Sequence, residues 1–313
     1  MGEKAELGGV VVSEQANKPN LLLIGFPRCG TTALAATLSK DPQIFVCDPK
    51  EPHFLAFSGE APDITGPGSE AFSSGRVYDL DSWKKIYENR DHQYLVDASV
   101  TTVSYPQSAI ENIEKYCALD TRVLVMLRDP VDRAYSSYLY NLSRGWEAGT
   151  FEAGLSEESH RREENWQHLW FFRWLSLYED RMKPFEAYFG LDNLCYLSAE
   201  EFSDAPNNVL KKVSEFLELP KIDVDTSNTI NSGGAPKSKL LRDITVSVRR
   251  HPIVHKLARS VTTQAFRESL RNKNLSKPVM NESTRLMLDT EFTETRRWMS
   301  NRLQQLDQQK SRQ

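Results

Sequence analysis

The sequence predicts an α/β protein with a central, mostly parallel β-sheet flanked on both faces by helices. Apolar runs with the length of buried strands recur as LLLIGF (21–26), QIFV (43–46), YLVDAS (94–99), RVLVML (122–127) and NLCYLS (193–198). Helical patterns separate several of these runs, the alternation that produces parallel neighbours. The first run also passes through a glycine-containing turn into a helical stretch, TTALAATLSK, which stops before Asp41-Pro42. Strand order is not encoded in this pattern.

At 313 residues the chain can bury a sizeable core. We expect a flexible N-terminal tail over 1–18 and a single domain over 19–313 whose C-terminal part is helical and polar. A hydrophobic content of 39% with 26% charged residues is ordinary for a soluble protein. The net charge of −4 argues against a nucleic-acid partner. No window approaches the roughly 18 to 20 apolar residues of a membrane span. The N-terminus lacks the basic-then-apolar plan of a signal peptide. Cys29, Cys47, Cys117 and Cys195 form no C-x-x-C pair, which suits reduced thiols and a cytoplasmic location. Only His251 and His255 have a metal-like spacing, and Pro252 between them reads as a helix start, so no metal is expected.

Two stretches carry distinctive composition. SGEAPDITGPGSEAFSSGR (58–76) is rich in Gly, Pro and Ser and reads as a mobile surface loop of lid length. Residues 151–189 read as helical and are crowded with Trp166, Trp170, Phe171, Phe172, Trp174 and Tyr178. Most of these belong in the core, with one or two left to face an acceptor pocket.

The turn after the first strand, Gly25-Phe26-Pro27-Arg28-Cys29-Gly30-Thr31-Thr32, has the layout of an anion cradle. A helix start offers unpaired N–H groups and the positive end of its dipole. Gly30 allows close backbone approach, and the threonine hydroxyls can donate to phosphate oxygens. The G-x-x-x-x-G spacing is that of a P-loop, but Thr31 stands where the lysine of a nucleoside triphosphatase belongs. The basic residue is Arg28 instead. No carboxylate for Mg²⁺ is evident after the later strands, which further disfavours triphosphate chemistry. On this ground alone a purely structural turn is equally open. A second element adds direction: Arg128 ends a strand, Asp129-Pro130 opens a helix, and Ser136 lies two turns along it. Arginine's planar fork suits a phosphate there.

Together PRCGTTAL and LVMLRDPVDRAYSSY resemble the two nucleotide-binding motifs of sulfotransferases that use 3′-phosphoadenosine 5′-phosphosulfate (PAPS). The likeness is greatest to the heparan sulfate sulfotransferases and bacterial small-molecule enzymes, and it covers roughly residues 20–245. It implies a P-loop-type fold, PAPS as co-substrate, 3′,5′-diphosphoadenosine (PAP) as product, and no metal. It implies Arg28, Cys29, Gly30, Thr31, Thr32 and Ala33 around the 5′-phosphosulfate, and Arg128 with Ser136 at the 3′-phosphate. Relatives often carry lysine at the position of Arg28. Arginine still stabilises charge on the leaving phosphate but is a poor proton donor.

In Asp48-Pro49-Lys50-Glu51-Pro52-His53-Phe54 the resemblance places a general base at Glu51, with His53 as its rival. In an extended segment the two would share a face. Lys50 is either a partner of sulfate or Glu51, or solvated. Asp97, after the third strand, is a second carboxylate or a cap, and Ala98 follows where many relatives have lysine. Lys237 and Lys239, after Gly233-Gly234, look like a late loop closing over the nucleotide or are part of an ordinary surface loop. The basic stretch with Arg249, Arg250, Lys256 and Arg259 reads as a solvated face ahead of a dock for an anionic partner or membrane. The expected activity is in-line sulfuryl transfer to a hydroxyl of a small-molecule acceptor. N-sulfation of a nitrogenous metabolite, O-sulfation of a carbohydrate, a kinase or NTPase, and a silent nucleotide binder are the competing readings.

Overall fold

The computed structural model describes residues 17–222, 224, 235–236, 275–276 and 279–305. Each of the five apolar runs becomes a strand: β1 (Leu21–Gly25), β2 (Ile44–Val46), β3 (Tyr94–Asp97), β4 (Arg122–Leu127) and β5 (Leu194–Ser198). They form one sheet in the order β2-β3-β1-β4-β5, and every neighbouring pair is parallel. Side chains of β1, β3 and β4 are almost wholly buried, which is why these segments read as continuous apolar runs rather than alternating ones. Two-residue strands β6 (Ala235–Pro236) and β7 (Leu275–Ser276) pair separately and antiparallel.

The chain leaves β1 towards one side, building β2 and β3, then crosses to the other side for β4 and β5. The carboxyl ends of β1 and β4 therefore flank the point where the winding changes direction. Ligands of open α/β sheets bind in the crevice at such a point.

Helices in the first half are α1 (Thr31–Leu38), α2 (Ser69–Ser73), α3 (Leu80–Tyr87), α4 (Thr101–Ser104), α5 (Pro106–Tyr116) and α6 (Pro130–Arg144). The second half supplies α7 (Phe151–Ser156), α8 (Glu158–Glu163), α9 (Tyr178–Phe189), α10 (Ala199–Asp204), α11 (Pro206–Phe216), α12 (Glu282–Glu291) and α13 (Thr293–Leu303). α1 packs on β1 and β2, while α10, α11 and α13 pack on β5. The aromatic residues of 151–189 are mostly core, as expected. Residues 164–177, which read as helix, form turns and two short 3₁₀ segments, His168–Trp170 and Trp174–Ser176. Trp170, Phe172 and Tyr178 are buried in the core.

The loop over 58–76 departs from expectation. Hydrogen bonds tie it to the 165–170 segment, and it carries the short helix Ser69–Ser73. Thr65 N–H donates to the Asn165 carbonyl (2.9 Å), and Trp170 Nε1 donates to the Pro67 carbonyl (3.0 Å). Gly66 and Gly68 lie so close to the indoles of Trp166 and Trp146 that an added Cβ would meet them at 2.5 and 2.7 Å. Gly66 and Gly68 are contact surfaces for tryptophan, while Gly59 and Gly75 face open space.

Candidate active site

The turn after β1 is shaped by two close requirements. At Gly25 a side chain would meet the Met126 carbonyl oxygen at 2.8 Å, so β1 and β4 can approach only through glycine. Gly30 takes a left-handed conformation (φ 89°) and caps α1 without any side-chain hydrogen bond. Ala33 and Leu34 already donate to the Gly30 carbonyl (3.0 and 3.1 Å). The earlier N–H groups of the helix start have no intrahelical acceptor and point the positive dipole end into the crevice. Thr31 is buried and Thr32 exposed beside them.

Arg28 is itself left-handed (φ 76°). Such a conformation costs about 1–3 kcal/mol for a side-chain-bearing residue and persists where neighbours hold it. Here they do. Arg28 Nε donates to Ser136 Oγ (3.4 Å), its guanidinium lies 4.7 Å from the Tyr140 ring centre, and its carbonyl accepts from Arg128 Nη1 (3.3 Å). Cys29 contributes neither end to the crevice. Its N–H donates to the Phe26 carbonyl (3.1 Å), and its thiol is buried near Tyr178 Oη (3.9 Å). Burial pushes that thiol up to about 11.

The partner wall is α6. Asp129 caps it, accepting from the N–H groups of Val131 (3.0 Å) and Asp132 (3.1 Å), and Pro130 fills the first turn. Ser136, Tyr140 and Arg144 follow at four-residue steps and so share one face. Arg144 places its guanidinium 4.9 Å from the same Tyr140 ring. Burial lowers the pKa of Arg28, Tyr140 opposes that, and the charges of Arg128 and Arg144 add to it. None of these three guanidiniums pairs with a carboxylate among the described residues. Arg28 and Arg128, left to repel one another beside an uncapped helix start, form a site for an anion carrying more than one charge.

Arg133, the second arginine of the RDPVDR run, is wholly buried and does not face the crevice. It donates to Ser176 Oγ (2.7 Å) and to the carbonyls of Pro27 (3.5 Å), Phe171 (3.1 Å) and Phe172. It thereby fixes the cradle against the aromatic segment. Sequence reasoning missed both this role and the presence of Tyr140 and Arg144 at the site. The four-residue step from Ser136 was the available signal for the latter.

Glu51 lies past β2 and is fastened to the end of β3 by its N–H, which donates to the Ala98 carbonyl (3.1 Å). The segment is not extended. Glu51 and His53 both adopt positive φ (59° and 70°), and the backbone kinks around Pro52. Arg76 holds that kink from below, donating to the carbonyls of Lys50 (3.1 Å) and Glu51 (3.0 Å). The side chains still converge: Lys50 Nζ lies 2.7 Å from Glu51 Oε1, and His53 Nε2 lies 3.8 Å from Oε2. Burial raises the Glu51 pKa, but His53 and Lys50 outweigh it and hold the carboxyl below the ordinary range. The His53 contact at 3.8 Å is looser than the 2.7 Å Lys50 pair. His53 is buried, its pKa is lowered by that burial, and neither ring nitrogen has a hydrogen-bond partner.

Asp97 is a core acceptor rather than a site carboxylate. It receives Trp83 Nε1 (3.0 Å), Tyr87 Oη (3.1 Å) and Ser99 Oγ (2.8 Å). Beyond His53, the ring of Phe72 separates it from His168, at 4.7 and 5.3 Å between centres. His168 lines a cavity of about 430 Å³ with Ser104, Tyr105, Asn165, Phe171 and Trp174. Lys237, Lys239 and the basic stretch after them lie outside the described residues. Among those described, no group of three or more His, Cys, Asp or Glu side chains is arranged to hold a metal, and no helix is long and apolar enough to cross a membrane.

Comparison with known proteins accords with this geometry. Residues 18–232 match the family model described as Sulfotransferase domain. Among curated proteins, the chain is 26% identical over 215 residues to mouse heparan sulfate glucosamine 3-O-sulfotransferase 3A1, covering 66% of this chain and 47% of that protein. It is 26% identical over 170 residues to human carbohydrate sulfotransferase 15, covering 44% and 30%. The chain thus spans about half or less of the length of these relatives. A solved sulfotransferase from Alicyclobacillus acidocaldarius superposes with a TM-score of 0.62 at 27% identity, covering 80% of this chain and 99% of that one.

Proposed function

The chain belongs to the sulfotransferase domain family, and from that premise we propose that it transfers the sulfuryl group of PAPS to a hydroxyl of a small-molecule acceptor. The observation that carries this reading is the convergence of Arg28 and Arg128, unpaired with carboxylates among the described residues, on the open start of α1. A nucleotide with phosphates at two positions supplies the missing anions. The N–H groups of the α1 start, the Thr31 and Thr32 side chains and Arg28 would hold the 5′-phosphosulfate. Arg128 and Ser136 would hold the 3′-phosphate.

PAPS supplies the activated sulfuryl group; a bond from acceptor oxygen to sulfur forms as the sulfur–oxygen bond to the 5′-phosphate breaks. Arg28 stabilises the charge that accumulates on the departing phosphate oxygen, acting by electrostatics without giving up a proton. Glu51 takes the acceptor's proton at Oε2, the oxygen not bonded to Lys50. Its low pKa keeps it ionised throughout the neutral range, although it also weakens the carboxylate as a proton acceptor. A carboxylate base suits a hydroxyl, and one named relative is itself a 3-O-sulfotransferase. Lys237 and Lys239 would add cations over the nucleotide.

Calorimetric titration with PAP, AMP and ATP–Mg²⁺ tests the reading. PAP should bind at least about tenfold tighter than AMP, because only PAP meets Arg128 with a 3′-phosphate. Arg128→Ala should erase that difference. Tighter binding of ATP–Mg²⁺ would make this a phosphoryl-transfer or switch protein instead. Labelled PAPS offered with paired hydroxyl, amine and carbohydrate acceptors then separates O- from N-sulfation and small molecules from saccharides.

A further inference from the structure

We propose that Arg144 determines acceptor specificity by receiving an anionic group, a carboxylate or a sulfate, carried by the acceptor near its reacting hydroxyl. The inference rests on the sulfotransferase reading above. Arg144 lies eight residues beyond Ser136 on the same face of α6. At 1.5 Å per residue that is about 12 Å along the helix. Ser136 and Arg128 mark the 3′-phosphate end of the crevice, and Arg28, over Tyr140, marks the phosphosulfate. Arg144 comes one step further on.

That step leads to the acceptor side. Trp146 stands 5.8 Å from the Tyr140 ring, and Gly68 is pressed against the Trp146 indole. Gly68 belongs to the strapped segment whose end, Arg76, holds the carbonyl of Glu51. The chain that carries the base thus folds back over the Arg144 end of α6. Arg144 is half-buried, stacked on Tyr140 and repelled by Arg28, and it has no carboxylate partner among the described residues. A cation in the last turn of a helix is favourable in itself. That effect explains neither the shared ring nor the placement beside a second guanidinium. When the donor's phosphosulfate neutralises Arg28, Arg144 remains a cation without a carboxylate partner among the described residues. Its planar fork selects an oxyanion with two coplanar or clustered oxygens.

The test uses the full chain saturated with PAP and two phenols of similar size, 4-hydroxyphenylacetate and uncharged 4-methylphenol, titrated by calorimetry. The carboxylate compound should bind about tenfold tighter, the yield of one charge-assisted hydrogen-bonded pair. Arg144→Gln should abolish that preference while changing the PAP dissociation constant by less than about twofold, and Arg144→Lys should keep part of it. Equal or undetectable binding of both phenols, or a preference that survives in Arg144→Gln, overturns the proposal. A loss of PAP affinity of about tenfold in Arg144→Gln also overturns it, by assigning the residue to the donor. Failure of PAP to bind the unsubstituted chain would instead sink the sulfotransferase reading, and this inference with it.

Discussion

A carboxylate that is to accept a proton must be ionised before the acceptor arrives, and Glu51 meets that condition through its neighbours. Burial alone would favour the neutral acid, yet His53 and the adjacent Lys50 ammonium together reverse the balance. Because the folded pKa lies below the unfolded value, the ionised form persists as pH falls and is lost only below the usual carboxylate range. Turnover should therefore show no acidic limb from Glu51 between about pH 5 and 7. Glu51→Gln should reduce kcat by about 10²- to 10⁴-fold and leave PAP affinity within about twofold. Steady-state kinetics beside PAP titration checks this, and undiminished kcat would transfer the role to His53. At this scale the sequence is informative wherever a motif is local. Arg28, Gly30, Arg128 and Ser136 are legible because the turn and the helix start that use them are contiguous. The pose of His53 is not, because nothing in Glu51-Pro52-His53 announces two left-handed residues. Arg144 escapes for a related reason: its meaning depends on Tyr140, which only the folded helix sets beside Arg28.

Among the elements, all five strands are legible because a buried parallel strand needs an uninterrupted apolar run. The segment over 58–76 is misread because composition cannot distinguish a glycine kept for freedom from one kept for contact. Gly68 is the second kind. Its φ is 90°, and an added Cβ would meet the Trp146 ring at 2.7 Å, which leaves no room for a methyl group. Gly68→Ala should destabilise the protein by about 1–3 kcal/mol, combining overpacking with left-handed strain. Urea unfolding with an unchanged m-value would measure it. Native hydrogen exchange should show the Thr65 amide protected in the parent and faster in the variant. An unstrapped loop would give fast exchange in both, with no change in stability.

At the scale of the whole molecule, the family match ends at residue 232, but the start of α6, beside the candidate site, is braced by helices beyond it. Arg296 of α13 lies 2.7 Å from Asp129, the cap of α6, and 2.7 Å from Asp289 of α12. Arg285 of α12 reaches Asp132 at 2.8 Å. Asp129 follows Arg128 directly, so the distal helices brace the turn from which Arg128 enters the crevice. Burial tends to raise the Asp129 pKa, and the hydrogen bonds from Arg296 and the α6 amides more than offset it. A carboxylate with a lowered folded pKa stabilises the fold above its unfolded pKa near about 3.9, and that stabilisation disappears as pH falls through the folded value. Arg296→Gln should thus cost up to about 1 kcal/mol at pH 7, a modest amount for a pair still partly open to solvent. The cost should shrink towards zero at acid pH. The same variant should weaken PAP binding several-fold, to roughly the extent that an uncoupled Asp129 lets Arg128 swing, while AMP binding stays nearly unchanged. Equal weakening of PAP and AMP would mean that Arg296 supports the fold at large, with no particular hold on the 3′-phosphate end.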